Sequence, residues 1–293
     1  MPTVPLRRKL EGALASLPVL PQAVVTLMQL DPSSDGYFDE VLVLLEVEPN
    51  FATRVLKLAN SAKYGNQEPV ETLASAMARI GSTGAAELVV ALAVTRVFVP
   101  RDDWERSLWR HAIQVAVAAR ELAQRTDDPS VSPETAYVCG LLHDIGRFVM
   151  LQEAPETLRR IDEGDWHDPQ ALVQLEQSIC GLTHAELGAR ACERWKIPAT
   201  IVQVIRDHHL PQEAEPRGSA SKLRALVSTA DLVMFPSAMP GTEDLEGANL
   251  MTLREIAKHR LPAFLHLSVP ELRELLEDAT RLSRNLASKL GLD

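Results

Sequence analysis

Aromatic residues are scarce: Phe, Trp and Tyr make up 4% of the 293 residues, while Ala, Leu and Val dominate. Strands favour aromatic and β-branched side chains, so this composition speaks for helices and against a β-sandwich. Dense runs of Lys and Arg are also missing, and the formal net charge is −10. Sequence-nonspecific phosphate-backbone binding needs such basic runs, so no nucleic acid is expected as a partner. Cysteine is limited to Cys139, Cys180 and Cys192, an odd number with no CxxC pair. These read as reduced, buried thiols in a reducing compartment, and the expected location is cytoplasmic. None has a neighbouring base that would mark a thiol nucleophile. The longest strongly apolar run, Leu88 to Thr95, ends at Arg96. It is far too short to span a bilayer, and no membrane partner is expected. Arg7-Arg8-Lys9 precedes a mildly apolar stretch, but Glu11 and Pro18 interrupt it, which argues against a secretion signal.

Hydrophobic residues nevertheless reach 46%, enough for a substantial core. Their spacing is helical almost everywhere, with no sustained period-two alternation. Phe51, Val55, Leu58, Ala59 and Ala62 share one face. So do Val70, Leu73, Ala74, Met77 and Ile80, a helix expected to stop at Gly81. Ala85, Leu88, Val89 and Leu92 continue the pattern. Gly81-Ser82-Thr83-Gly84 is too short for a P-loop and lacks its lysine, so it reads as a helix cap. Asn60-Ser61 reads as a polar helix end.

Pro100 and Arg101-Asp102-Asp103 mark a boundary. A long helix is expected from about Trp104 to Gln124. Others should begin at Ser132-Pro133, at Asp168-Pro169 (ending near Gly181) and at Pro198, the last running to His209. Gln212 to Ser221 reads as a loop, 219–235 as helix, and Pro236 to Asn249 as a second loop. The C-terminal stripe of Val269, Leu272, Leu276, Ala279, Leu286 and Leu290 is helical in spacing. It could join two copies in a homodimer or pack on its own domain. The expected organisation is all-α: an N-terminal helical subdomain (1–103), a helical bundle (104–235) and a helical extension (236–293).

Several helices carry a His or Asp on what should be the apolar face. His111 lies between Leu108 and Val115. His143 follows Ala136, Cys139 and Gly140. His184 shares a face with Gly188, Ala191 and Trp195. His208 follows Ile201 and Ile205, and Asp231 sits between Val227 and Met234. Asp144 and His209 adjoin two of these histidines. A buried polar group without a partner costs a few kcal/mol, on the order of 1–3. One such histidine is usually a satisfied core residue. Several together suit Zn, Fe, Mn, Ni or Co, as one ion or as two bridged by a carboxylate. A His–Asp hydrogen-bond network without metal is the alternative.

The ordered series His111, Gly140-Leu141-Leu142-His143-Asp144-Ile145-Gly146, His184, His208-His209 and Asp231 resembles the HD phosphohydrolase superfamily. Leu17-Pro18-Val19-Leu20-Pro21, Glu48-Pro49-Asn50-Phe51, Leu58-Ala59-Asn60-Ser61-Ala62 and Trp195-Lys196-Ile197-Pro198 narrow the resemblance to its HDOD branch, over roughly 12–235. That resemblance implies an N-terminal helical subdomain packed on an HD-like bundle. It implies a regulatory or output role in bacterial signalling, exerted on signalling proteins through the helical surface. A metal-dependent phosphohydrolase acting on a nucleotide or phosphoester is the alternative. In relatives with two metals, the positions matching His111, His143, Asp144 and Asp231 serve one ion. Those matching Asp144, His184, His208 and His209 serve the other. The resemblance also places a phosphate-contacting lysine where this chain has Arg147. The simpler reading of Arg147 is an exposed helix residue. The GYP segment of the related cyclic di-GMP hydrolases is absent, since Leu210-Pro211-Gln212-Glu213 follows the paired histidines. No hydrolysis of cyclic di-GMP is therefore expected.

Overall fold

A computed structural model describes residues 4–61, 69–164, 166, 168–211, 216–238 and 261–292. Among these residues there are helices, turns and short connections, and no strand, so the all-α expectation is met. Ala62 and the segments 212–215 and 239–249 of the two expected loops lie outside the described residues.

The N-terminal part comprises α1 (Val4–Ser16), α2 (Gln22–Leu27), α3 (Tyr37–Glu46), α4 (Pro49–Ala59), α5 (Leu73–Ile80) and α6 (Ser82–Val97). The apolar run of the sequence becomes α6, whose residues from Leu88 to Val94 are all buried. Gly81, at φ 84°, makes the corner between α5 and α6, a conformation other residues adopt only with strain. Asn60 closes α4. Its side-chain amide donates to the Val70 carbonyl at 2.9 Å and accepts from the Val70 N–H at 2.8 Å.

The central helix is α7 (Asp103–Ala123), started by the Asp102 side chain, which accepts from the Glu105 N–H. Around it lie α8 (Pro133–Leu142), α9 (Ile145–Glu153), α10 (Pro155–Asp162) and α11 (Pro169–Cys180). They are followed by α12 (His184–Arg194), α13 (Ala199–Asp207), α14 (Ser219–Ala238) and α15 (Val269–Leu290). The expected caps form: Ser132 and Asp168 cap α8 and α11, and Gly181 ends α11 in the left-handed conformation. Thr183 and Glu186 add a capping box to α12. Three boundaries differ from expectation: Val70 lies before the start of α5, α13 ends at Asp207 rather than His209, and α14 continues past Pro236 to Ala238, where a loop was expected. A proline removes one helical N–H donor but does not always end a helix.

Glycines set two close approaches. A Cβ on Gly140 would lie 2.7 Å from Ala116 Cα, so α8 rides on the alanine face of α7. A Cβ on Gly146 would lie 1.9 Å from the His184 carbonyl oxygen, so α9 and α12 touch through their backbones. The few aromatics concentrate where the N-terminal part meets the bundle. Phe148 lies 4.1 Å from Trp109 and 5.7 Å from Phe98, ring centre to ring centre. Trp195 Nε1 donates to the Pro18 carbonyl at 2.8 Å, anchoring the Leu17-Pro18 segment. The C-terminal stripe is covered within the chain: Leu272, Leu275, Leu276 and Ala279 are buried, and α15 packs on α7. No single described helix is long and apolar enough to cross a membrane.

Candidate metal centre

Six helices and the turns at their ends deliver the seven residues singled out above. His111 stands mid-way along α7 and Asp231 along α14. His143 is the C-cap of α8, and Asp144 is the N-cap of α9. His184 is the first residue of α12. His208 is the C-cap of α13, with His209 next in the turn. That turn is held from α14, where Arg224 donates to the carbonyls of Leu210 and Pro211 at 3.1 and 3.2 Å.

All seven meet in one place, around Asp144. One carboxylate oxygen, Oδ2, lies 3.5 Å from His143 Nε2 and 4.0 Å from His111 Nε2. The other, Oδ1, lies 3.1 Å from His184 Nε2. Asp231 Oδ1 stands 3.1 Å from His111 Nε2 and 3.7 Å from His143 Nε2. Donor atoms within 4.8 Å of one another form two groups that share Asp144. One is His111, His143 and Asp144, with Asp231 beside it. The other is Asp144, His184, His208 and His209.

The outer ring nitrogens fix the tautomers. His143 Nδ1 meets the Gly140 carbonyl at 2.8 Å, and His208 Nδ1 meets that of Ile205 at 2.7 Å. A carbonyl only accepts, so both Nδ1 atoms carry the proton and both Nε2 atoms present bare lone pairs. His184 Nδ1 is engaged likewise by Glu176 Oε2 at 2.7 Å. His184 Nε2 then faces His209 Nε2 at 2.9 Å and His208 Nε2 at 3.3 Å. Facing lone pairs at that separation repel unless a proton or a cation lies between them. His143 Nε2 is buried with no hydrogen-bond partner at all. Converging imidazole and carboxylate acceptors with too few protons among them fit a divalent transition-metal ion.

The electrostatics agree. Burial pulls His208 down to about 3, with His143 and His184 adding to the effect. Burial likewise lowers His143, and it takes His209 well below the usual imidazole value. His184 moves the other way: burial opposes its charge, but the Glu176 and Asp144 carboxylates outweigh that and raise it. Burial also opposes the charge on Asp144 and Asp231, yet the surrounding histidines hold both well below the usual carboxylate range. The cluster is thus two ionised carboxylates among mostly neutral rings, with His184 the best seat for a proton.

A sequence profile of the HDOD domain matches residues 17–211, two-thirds of the chain. The chain belongs to the HDOD family. A solved structure from Shewanella amazonensis SB2B, provisionally named a phosphohydrolase, is 26% identical and superposes with a TM-score of 0.69. The match covers 96% of this chain and 98% of that one. A structure from Marinobacter aquaeolei VT8, provisionally named a signal transduction protein, is 20% identical, with a TM-score of 0.70. That match covers 98% of this chain and 65% of that one, and it establishes likeness of fold. An uncharacterized protein of Treponema pallidum is 28% identical over 220 residues, 73% of this chain but 42% of its own length. This HDOD chain therefore spans about two-fifths of that curated relative.

In this HDOD protein a cavity of about 250 Å³ opens onto the cluster, lined in part by His111, Asp144, His209 and Asp231. Arg147 lines it too, and here the exposed-residue reading fails: Arg147 is only 6% exposed. The cause is that every residue of α9 from Ile145 to Met150 is buried, enclosed by α1, α10 and α12. The Arg147 guanidinium forms an ion pair with Asp162 of α10. Asp162 and Glu176 are site residues that the sequence reading missed. The signal for Glu176 was present: it lies between Leu172 and Cys180 at four-residue spacing, on the buried face of α11. Asp162 follows Leu158 and Ile161 on a short amphipathic helix and carried no comparable mark.

Proposed function

We propose that this HDOD protein is a metal-dependent regulatory protein of bacterial signal transduction, with a divalent metal centre held around Asp144. The observation that carries the reading is the convergence of Nε2 lone pairs from His143, His184 and His208, each ring fixed from behind. His111, His143, Asp144 and Asp231 would hold one ion, and Asp144, His184, His208 and His209 a second. The expected partners are signalling proteins that contact the helical surface, and the expected setting is cytoplasmic. Metal analysis of protein purified without chelator tests the reading. About one to two equivalents of Fe, Mn, Zn, Ni or Co support it. Protein that neither retains such a metal nor takes it up on reconstitution refutes it.

A second reading, phosphoester hydrolysis, is favoured by the cavity that opens onto Asp144 and Asp231 beside Arg147. A bound divalent ion would supply hydroxide at neutral pH by lowering the pKa of a coordinated water. The chain's own residues would do the rest. Arg147 would bind the phosphate, His111, Asp144 and Asp231 would hold the ion beside it, and Leu108 and Trp166 would keep bulk water out. A broad phosphoester screen, with Asp144→Ala as the control, separates binding from turnover.

A further inference from the structure

The Arg147 guanidinium is used asymmetrically. Its Nη2 end is taken by Asp162, whose other oxygen accepts from Trp104 Nε1 at 3.2 Å. Its Nε end lies 3.9 Å from Asp144 Oδ2, beyond hydrogen-bond reach, and that buried N–H has no partner. A buried N–H on a cationic group is costly to leave unmatched. Arg147 and Asp144 both line the cavity, so an acceptor oxygen of a ligand there would meet that N–H. The guanidinium thus has Asp162 at Nη2 and an unmatched N–H at Nε beside Asp144.

Among the described residues that line the cavity, each guanidinium already has a carboxylate partner. Arg147 is matched by Asp162, and Arg159, whose guanidinium stacks on Trp104 at 4.0 Å, is matched by Asp102. Glu163 adds one more negative charge to the lining. A second phosphate placed outward of the first would meet the Asp162 and Glu163 carboxylates, while the Arg159 guanidinium on that wall is already paired with Asp102. The remaining wall is flat and apolar, with Trp104, Trp166, Leu108 and Leu172. A volume of about 250 Å³ also falls below the range of about 300–1,000 Å³ usual for larger ligands.

We propose that the cavity selects a small, singly phosphorylated ester with a flat, apolar body, and that Asp162 is the residue that rejects polyphosphates. This rests on the metal-centre reading above, because the single phosphate would lie between Arg147 Nε and the cluster. Asp162 acts by position: it occupies the outer half of the guanidinium and presents a fixed negative charge where a second phosphate would go.

Calorimetric titration of the metal-reconstituted full chain with AMP, ADP and ATP tests this, with metal content measured on the same samples. AMP is expected to bind at least about tenfold more tightly than ATP, because like charges brought together on binding carry a substantial penalty. Asp162→Asn should narrow that preference to about threefold or less, mainly by improving ATP. Glu163→Gln, at an exposed position with no part in the Arg147 pair, should narrow it at least about twofold and guards against misfolding of the first variant. Equal or tighter binding of ATP by the wild-type protein overturns the proposal. So does a preference left unchanged in both variants. Protein that holds metal yet binds no AMP defeats this proposal alone, whereas protein that takes up no metal defeats the metal-centre reading as well.

Discussion

Glu176 grips His184 twice with a single oxygen: Oε2 accepts from the His184 backbone N–H at 2.9 Å and from its Nδ1 at 2.7 Å. Both side chains are fully buried. The carboxylate thus fixes where α12 begins, which way the imidazole turns and which nitrogen faces Asp144. Carboxylates behind metal-bound histidines orient the ring and raise its basicity.

Loss of that grip should weaken metal binding without removing a ligand. Glu176→Gln is expected to lower metal affinity by about 10–100-fold, and Glu176→Ala by more. Competition with a chromophoric chelator reads this directly. Wild-type affinity in Glu176→Ala would show that His184 is oriented by the rest of its surroundings.

Asp144 is the one carboxylate shared by both groups of donors. Asp144→Ala should abolish stoichiometric metal binding. In chelator-treated protein the same change should cost about 3–5 kcal/mol, because it removes the partner of His184 Nε2 and the buried negative charge that faces His143 and Arg147. Denaturant unfolding of wild type and variant, both without metal, measures that cost.

Gly146 is expected to tolerate no side chain. A Cβ there would fall 1.9 Å from the His184 carbonyl oxygen, a backbone atom that cannot rotate away. Gly146→Ala must push α9 from α12 and separate Asp144 from His184. The expected loss is at the upper end of about 1–3 kcal/mol, with metal affinity falling in parallel. Thermal melts with and without added metal follow both effects.

The metal-free protein should be acid-labile. His208 titrates near 6.5 when unfolded and at about 3 when folded, so the unfolded chain binds more protons across that window. Its contribution is complete above pH 6.5 and is lost as pH falls towards 3. His209 and His143, also depressed by burial, act in the same direction. His184 is raised, so its contribution is present under acid conditions and disappears as pH rises through its folded value. Three groups against one give a net loss on acidification, at up to about 1.4 kcal/mol per pH unit for each titrating group. Unfolding free energies measured between pH 7 and pH 4 should fall, and His208→Gln should flatten the slope.

Five of the seven clustered residues were legible as polar side chains on otherwise apolar helical faces, and Asp144 and His209 as their neighbours, in an order known from the HD superfamily. The caps at Ser132, Asp168 and Gly181 were equally legible, since their chemistry is local. Arg147 was not, because periodicity describes one helix at a time and cannot show that neighbours enclose α9 on every side. Asp162 was hidden for a related reason: its partners, Trp104 and Arg147, lie 58 and 15 residues away. Pro236 was read as the start of a loop, while the helix runs on to Ala238.

His143 and His208 each sit at the C-terminal end of a helix and bond the carbonyl three residues back, that of Gly140 in α8 and of Ile205 in α13. Those carbonyls belong to the last turn, where helices run short of donors. The same rings therefore finish two helices on one side and face the cluster on the other. Turning either ring out of the cluster would uncap its helix, so releasing a ligand and fraying a helix end become a single event. Amide exchange in the last turns of α8 and α13 should then slow on metal addition, making occupancy readable from backbone hydrogens that touch no metal.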